Sequence, residues 1–583
     1  MIRIANCSGF YGDRISAARE MVEDGPIDVL TGDWLAELTM LILARTQAKH
    51  PGQGYARTFL TQMEQVMGTC LDRGIKVVSN AGGLDPEACA IALRDTADQL
   101  GLSPTIAYVN GDNLLGRLDD LQRAGALTHF ETGEALGDLS RFITANAYLG
   151  SFGIVEALAE GADIVITGRV TDAALVCAPA AWHYQWRRDN FDALAGAVVA
   201  GHVIECGAQV TGGNYSFFRE VPHMERVGFP WVEVAEDGSC VVGKHDGTGG
   251  QVSIGTVTSQ LLYEIGSPAY LGPDVTARFD TIELEQVGPD RVRISGVRGE
   301  APPTTLKVAM NELGGYRKDL SVALTGLDIE EKADLVEKAF WLASPHAPSE
   351  FESVTTRLVR TDKADPATNE EAVATWRLTV KDPDERKVGR ALADAVVELA
   401  LATVPGFFIP GSSPSAGSPY GVYSPALVPS NLVPQYVTVL GGERTVIDSV
   451  APSTATHVEA NHGSHVEAPG GATTLVPLGQ LFGARSGDKG GHANLGIFAR
   501  SDEAFAWLDG FLSVDELGRL LPETKPLVVE RYRLPALRSL NFVIRGLLDE
   551  GVAASTRQDA QAKGLGEWLR SRYVEIPTAL LVS

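Results

Sequence analysis

Between Ile143 and Ala178 the spacing of apolar positions changes twice, and each change marks an element. Ile154, Val155 and Leu158 recur at helical spacing after Ser151, a residue suited to cap a helix, and Gly161 closes the run as a left-handed C-terminal glycine does. The next run, Ala162 to Ile166, is short, mostly β-branched and unalternating between Gly161 and Gly168. That predicts a strand buried on both faces, and hence a parallel sheet. Gly168-Arg169-Val170-Thr171-Asp172 then leads into a second helix, capped by Thr171 or Asp172 and ended soon after by Pro179.

The same grammar runs through the first 270 residues. Short apolar runs at Arg3–Ala5, Asp28–Leu30, Lys76–Val78 and Thr105–Val109 are each followed by a polar or glycine-bearing turn and a helical pattern. Strands alternating with helices predict a doubly wound, mostly parallel α/β sheet over 1–270. From 271 to 450 strands (Arg291–Val297, Leu320–Leu324, Glu352–Val359, Ala374–Val380) surround helices at Ile329–Leu342 and Lys387–Thr403, the pattern of an α+β layer. The Pro/Gly/Ser-rich stretch Phe407–Asn431 is too long for an idle connection and reads as a lid or oligomer arm. Residues 451–474 are small, polar and unpatterned, a linker, and 475–583 has the element order of a small ferredoxin-like α+β sandwich.

Composition narrows the function classes. A chain of 583 residues exceeds one hydrophobic core. No apolar run reaches the length of a bilayer span, and MIRIANCSGF has no secretory pattern, so a cytoplasmic protein is expected. A formal charge of −25 excludes nucleic-acid binding by the surface at large and makes the few cations at glycine turns informative. The six cysteines contain no C-x-x-C, which excludes a zinc cluster and a disulfide framework.

Ligands of open α/β sheets sit at the carboxyl ends of the strands, beside helix N-termini. Arg169 falls there with a donor fork suited to a carboxylate or phosphate, and Asp172 either orients it or moves substrate protons. The alternative is an Arg–Asp pair that merely ties the turn together; on the ligand-binding reading Arg169→Ala weakens binding and leaves the thermal midpoint nearly unchanged, because a surface turn arginine contributes little to the core. Turns after residues 5, 78, 109 and 167 should share one cleft gathering Asp13, Asn80, Asn110, Arg169 and Asp172, with Ser8 and Arg14 lining it. His202 and Glu205, three residues apart on one helix face, are an acid–base candidate or an ordinary polar face. Asn214, in a glycine-rich turn, and Lys244, before a glycine turn and a helix start, are candidate substrate and anion contacts. Arg485 and Lys489 lie in Arg-Ser-Gly-Asp-Lys-Gly-Gly, read as a turn presenting backbone N–H groups and two cations. His457, His462 and His465 fall in the linker with no rigid element to fix a metal site, and no metal is expected. Ser8 and Ser486 lack the G-x-S-x-G context of a hydrolase nucleophile, and no dinucleotide fingerprint follows the first strand.

VSNAGGLDP (Val78–Pro86), GADIVITGRVTDAAL (Gly161–Leu175), GHVIECGAQVTGGN (Gly201–Asn214), GTGGQVSIGTVTSQLLYEI (Gly247–Ile265) and ARSGDKGGHANLGI (Ala484–Ile497) together resemble the acyclic terpene utilisation protein A family. That resemblance implies a large N-terminal region followed by a ferredoxin-like domain. It also implies company with acyl-CoA enzymes of branched-chain and terpenoid acid breakdown, biotin-dependent carboxylases among them. The expectation is a hydratase- or lyase-like enzyme acting on a CoA thioester without a redox cofactor, coenzyme A entering as part of the substrate. The rival from another class is a non-catalytic subunit or scaffold partner of an acyl-CoA carboxylase. A homo-oligomer is expected in either case.

Overall fold

A computed structural model describes residues 1–411, 416–449 and 466–581. The linker histidines lie outside the described residues. The chain divides into two compact units, one comprising 1–311, 423–552 and 559–583, the other 312–422 and 553–558.

The first unit is built on an eleven-stranded sheet. Its centre is five parallel strands, β1 (Ile2–Asn6), β2 (Val29–Gly32), β3 (Lys76–Ser79), β4 (Ile106–Asn110) and β5 (Ile164–Thr167), in the order β1-β2-β3-β5-β4. Every residue of β2 and β5 is buried, as unalternating runs require. Alternate side chains feed separate cores. Ile4, Val29, Val78 and Val165 join one, with helices Phe152–Ala159 and Ala174–Tyr184, while Ala5, Leu30, Val77 and Ile166 join the other, with Arg57–Arg73 and Pro86–Leu100.

The expected mostly parallel sheet is instead mixed. Antiparallel strands Pro230–Val234, Cys240–Lys244, Arg291–Ser295 and Glu283–Gly288 extend it beyond β1, and Gln435–Val439 and Arg444–Ile447 extend it beyond β4. Arg291–Ser295 therefore belongs to this sheet, paired with Cys240–Lys244, and not to a middle layer. Local propensity cannot report a partner that lies some 50 residues away in sequence. Pro179 sits inside its helix, which continues to Tyr184. Burial of almost the whole helix outweighs the cost of a proline there. Gly161 is left-handed as expected, and Asp85 caps Pro86–Leu100 by accepting from Ala88 N at 3.1 Å.

The second unit pairs Tyr316–Thr325 with Val373–Asp382, and the latter with Ser353–Val359, all antiparallel. Leu320, Val322 and Leu324 alternate into a core with Trp376, Leu378 and Phe340 of helix Ile329–Ala343. At the C-terminal end of the chain, within the first unit, Gly483–Lys489, His492–Phe498, Ser539–Ile544 and Val529–Leu534 form a four-stranded antiparallel sheet. Its helices are Asp502–Phe511, Val514–Leu520 and Leu565–Arg570.

Candidate functional site

Parallel pairing brings the residues that follow β2, β3, β4 and β5 to one sheet edge. Asn80 donates from Nδ2 to Asp33 Oδ1 and accepts from Trp34 N at 2.8 Å, so the turns after β2 and β3 are locked together. Asp112 accepts from Asn146 Nδ2 at 2.7 Å and from the Arg169 backbone N at 2.9 Å. Gly168 is required there, because a Cβ would lie 2.4 Å from Asp112 Oδ1. Arg169 is only 3% exposed. Its Nη1 donates to Asp172 Oδ1 at 2.7 Å, and its guanidinium lies 4.2 Å from the Tyr148 ring centre. Burial alone would lower this guanidinium, but Asp172, Tyr148 and Asp33 outweigh it and hold it charged.

Helix α1 (Phe191–Ile204) is apolar all round and buried almost throughout, which lets it carry His202 into the interior. His202 Nδ1 lies 3.3 Å from Glu205 Oε1, and the imidazole is 5.4 Å from both the Tyr270 and Phe279 rings. Asn6 Nδ2 donates to the Glu205 backbone carbonyl at 3.2 Å, seating this segment on the end of β1. Both His202 ring nitrogens and Glu205 Oε2 are buried without a hydrogen bond among the described residues. Burial pushes the His202 imidazole down to about 4, so it is neutral at pH 7. Burial, then repulsion from Asp172 and Glu264, raises the Glu205 carboxyl well above the carboxylate range. Burial followed by Asp172 does the same to Asp33, and burial raises Asp112 to about 6. The His202–Glu205 contact therefore sets a neutral imidazole against a carboxyl pushed up by burial, and the ion pair of the site is Arg169–Asp172.

The C-terminal sheet closes on this region. Arg485 to Lys489 is not a turn but part of strand Gly483–Lys489; the reversal is confined to Gly490 and Gly491, since Lys489 pairs directly with His492. Glycine at 487 reflects a close approach, because a Cβ there would lie 2.4 Å from the Tyr263 ring. Period-two alternation puts Arg485, Gly487 and Lys489 on one strand face. Tyr263 follows helix α2 (Ile254–Leu261) and carries the Arg485 guanidinium 4.2 Å from its ring centre. Lys489 Nζ donates to the Glu264 carbonyl at 3.0 Å. Glu264 has φ 57°, an uncommon left-handed conformation for glutamate, and its N–H donates to Asn494 Oδ1 at 2.8 Å. Glu264 and Lys489 both act electrostatically on His202 and Glu205, so the C-terminal sheet and α1 share one site.

The family model for acyclic terpene utilisation family protein AtuA matches residues 2–439. The chain belongs to the AtuA family. Its C-terminal sheet is the AtuA ferredoxin-like domain, matched over 476–575. No curated protein and no solved structure matches the chain. No described helix is long and apolar enough to cross a membrane.

In this AtuA family chain the sequence candidates divide. Asn80, Arg169, Asp172, His202, Glu205, Arg485 and Lys489 are joined through the contacts above. Asp13 instead accepts from Gly9 N at 2.8 Å and from Arg14 N, holding the first turn closed. Ser8 Oγ donates to the Phe10 carbonyl, and Arg14 Nη2 donates to the Val227 carbonyl and pairs with Glu20 at 3.0 Å. Asn110 lies in the ladder opposite Tyr436, and its expected place is taken by Asp112 two residues on. Asn214 is exposed with φ 58°. Lys244 Nζ donates to the Thr248 carbonyl at 2.8 Å and pairs with Asp290, a loop clasp away from the site's contacts. Asp33, Asp112, Tyr148, Glu264, Tyr270 and Lys563 were not singled out as site residues. Asp33 and Asp112 carried a usable signal, as acids directly beyond parallel strands; the others are joined only by the fold.

Proposed function

We propose that this chain is a hydratase- or lyase-like proton-transfer enzyme for the CoA thioester of a branched or unsaturated acid. One observation carries the reading: burial pushes two carboxyl groups, Glu205 and Asp33, well above the carboxylate range and the His202 imidazole down to about 4, beside the Arg169–Asp172 ion pair. Pushing neighbouring groups apart in this way is how one site obtains an acid and a base at the same pH. Asp172, with 29% of its side chain exposed, serves as base, and Glu205 as acid. In the hydration direction Asp172 takes a proton from water, oxygen bonds to the carbon distal to the thioester, and Glu205 gives its proton to the carbon next to the carbonyl. The proton passes from Asp172 back to Glu205 through solvent after product leaves. Arg169 stays charged and steadies the negative charge that gathers on the carbonyl oxygen. His202 packs against Glu205 and keeps water from its carboxyl.

Membership of a family named for acyclic terpene utilisation supports a branched, unsaturated acyl group. The test is incubation of the full chain with a panel of saturated, α,β-unsaturated and β-hydroxy CoA thioesters, read by mass spectrometry. A gain or loss of 18 Da on an unsaturated or hydroxy member is expected. No change on any member, together with retention of an acyl-CoA carboxylase in pull-down, would replace this reading with that of a carboxylase scaffold subunit.

A further inference from the structure

Beside the acid–base cluster two cations share one aromatic ring, and the bonding of the buried one, Arg485, is incomplete. Arg485 is 6% exposed, yet its only hydrogen bond among the described residues runs from Nη2 to the neutral Gln209 Oε1, and it forms no ion pair there. Lys563 donates to the Tyr263 hydroxyl and meets two carboxylates, Glu264 and Asp488, at 3.8 Å. Both cations lie on the same ring, Arg485 at 4.2 Å and Lys563 at 4.4 Å from the Tyr263 centre. Burial lowers the Arg485 guanidinium, with only Cys206 and Glu264 acting against it. A buried guanidinium normally sits fork-to-fork on a carboxylate, because its desolvation is otherwise uncompensated.

The site is built. Strand geometry fixes Arg485, the Tyr263 ring lies flush on Gly487, and Lys563 at the rim has 39% of its side chain exposed. It also adjoins the reacting groups: Cys206, the residue after Glu205, is coupled electrostatically to both Arg485 and Lys563. A cationic pair this close to the proton donor is badly placed for the phosphates of coenzyme A, which stand many bonds from the thioester carbon. It suits a second acidic group on the acyl chain itself.

We propose that Arg485 and Lys563, mounted on Tyr263, form a carboxylate-binding subsite, so that the acyl group carries a free carboxylate in addition to its thioester. Arg485 takes the carboxylate with its open donors and Lys563 closes over it from the rim. The inference rests on the enzymatic reading above. It also places the reaction downstream of one that installs a carboxyl group on an acyl chain.

The test is calorimetric titration of the full chain with glutarate, its monomethyl ester and inorganic phosphate. Glutarate is expected to bind at least tenfold more tightly than either of the others. Arg485→Gln and Lys563→Met should each weaken glutarate at least tenfold, and Arg485→Lys should recover part of the loss. Equal binding of phosphate and glutarate, or glutarate binding untouched by both substitutions in variants with a native melting transition, would overturn the subsite. The two readings fail separately. If glutarate behaves as expected but no carboxylated thioester is turned over, the subsite stands and the enzymatic reading falls. If monocarboxylic thioesters are turned over faster than carboxylated ones, the enzymatic reading stands and the subsite falls.

Discussion

At the scale of single residues, the site's chemistry is set by burial acting on a few groups in opposite senses. His202 has its folded value depressed to about 4, from about 6.5 when unfolded. The native state thus binds fewer protons than the unfolded chain, so this residue's contribution is present above pH 6.5 and is lost as the pH falls towards 4. The shift is worth about 3 kcal/mol, so His202→Gln should gain on the wild type by roughly that amount between pH 6.5 and 4 in urea unfolding. A constant difference across that range would contradict the burial argument. Glu205 runs the other way: its raised value stabilises the native state at low pH and is lost as the pH rises. Arg169 corrects a sequence-based expectation. As a surface turn residue its removal would cost little, but at 3% exposure and paired to Asp172 its replacement by Met should cost about 3–5 kcal/mol, measurable as a lower urea midpoint. Restoring charge balance with Arg169→Met/Asp172→Asn should return part of that loss, whereas a near-unchanged single variant would mean the pair is merely a surface tie.

Among elements, what was readable in sequence was whatever short-range pattern decides. The elements between Phe152 and Thr167 were legible because helix, glycine and buried strand follow one another within a few residues, although neither Ser151 nor Thr171 or Asp172 caps a helix with its side chain, and the parallel order then carried Arg169, Asp172 and Asn80 to a common edge. Long-range choices were not legible. Nothing local in Arg291–Ser295 says that it pairs with Cys240–Lys244, or that Pro179 will be carried inside a buried helix. The ARSGDKGG segment misled for a physical reason: glycine usually signals a turn, but Gly487 is a strand residue made small by the ring of Tyr263, more than 200 positions away. Gly487→Ala should therefore displace that ring and destabilise the protein by about 1–3 kcal/mol, with glutarate binding weakened as well. Stability and binding both unchanged would show that the ring and strand are not in fixed contact.

For the whole molecule, the C-terminal sheet belongs to the same compact unit as the parallel sheet and supplies Arg485 and Lys489 to its site, with Lys563 coming from the turn before helix Leu565–Arg570. The exposed stretch 466–472, which lacks helix or strand, is where limited proteolysis should cut. The resulting pieces should co-elute on gel filtration and separate only in denaturant; separation under native conditions would refute a shared site. The central claim is proton transfer by Glu205 and Asp172 on a CoA thioester, and turnover in deuterium oxide measures it most directly. The wild type should place one deuterium on the carbon next to the thioester carbonyl, and Glu205→Gln and Asp172→Asn should each slow that incorporation by about 100-fold or more. Incorporation by both variants within threefold of the wild-type rate would contradict the assignment of acid and base.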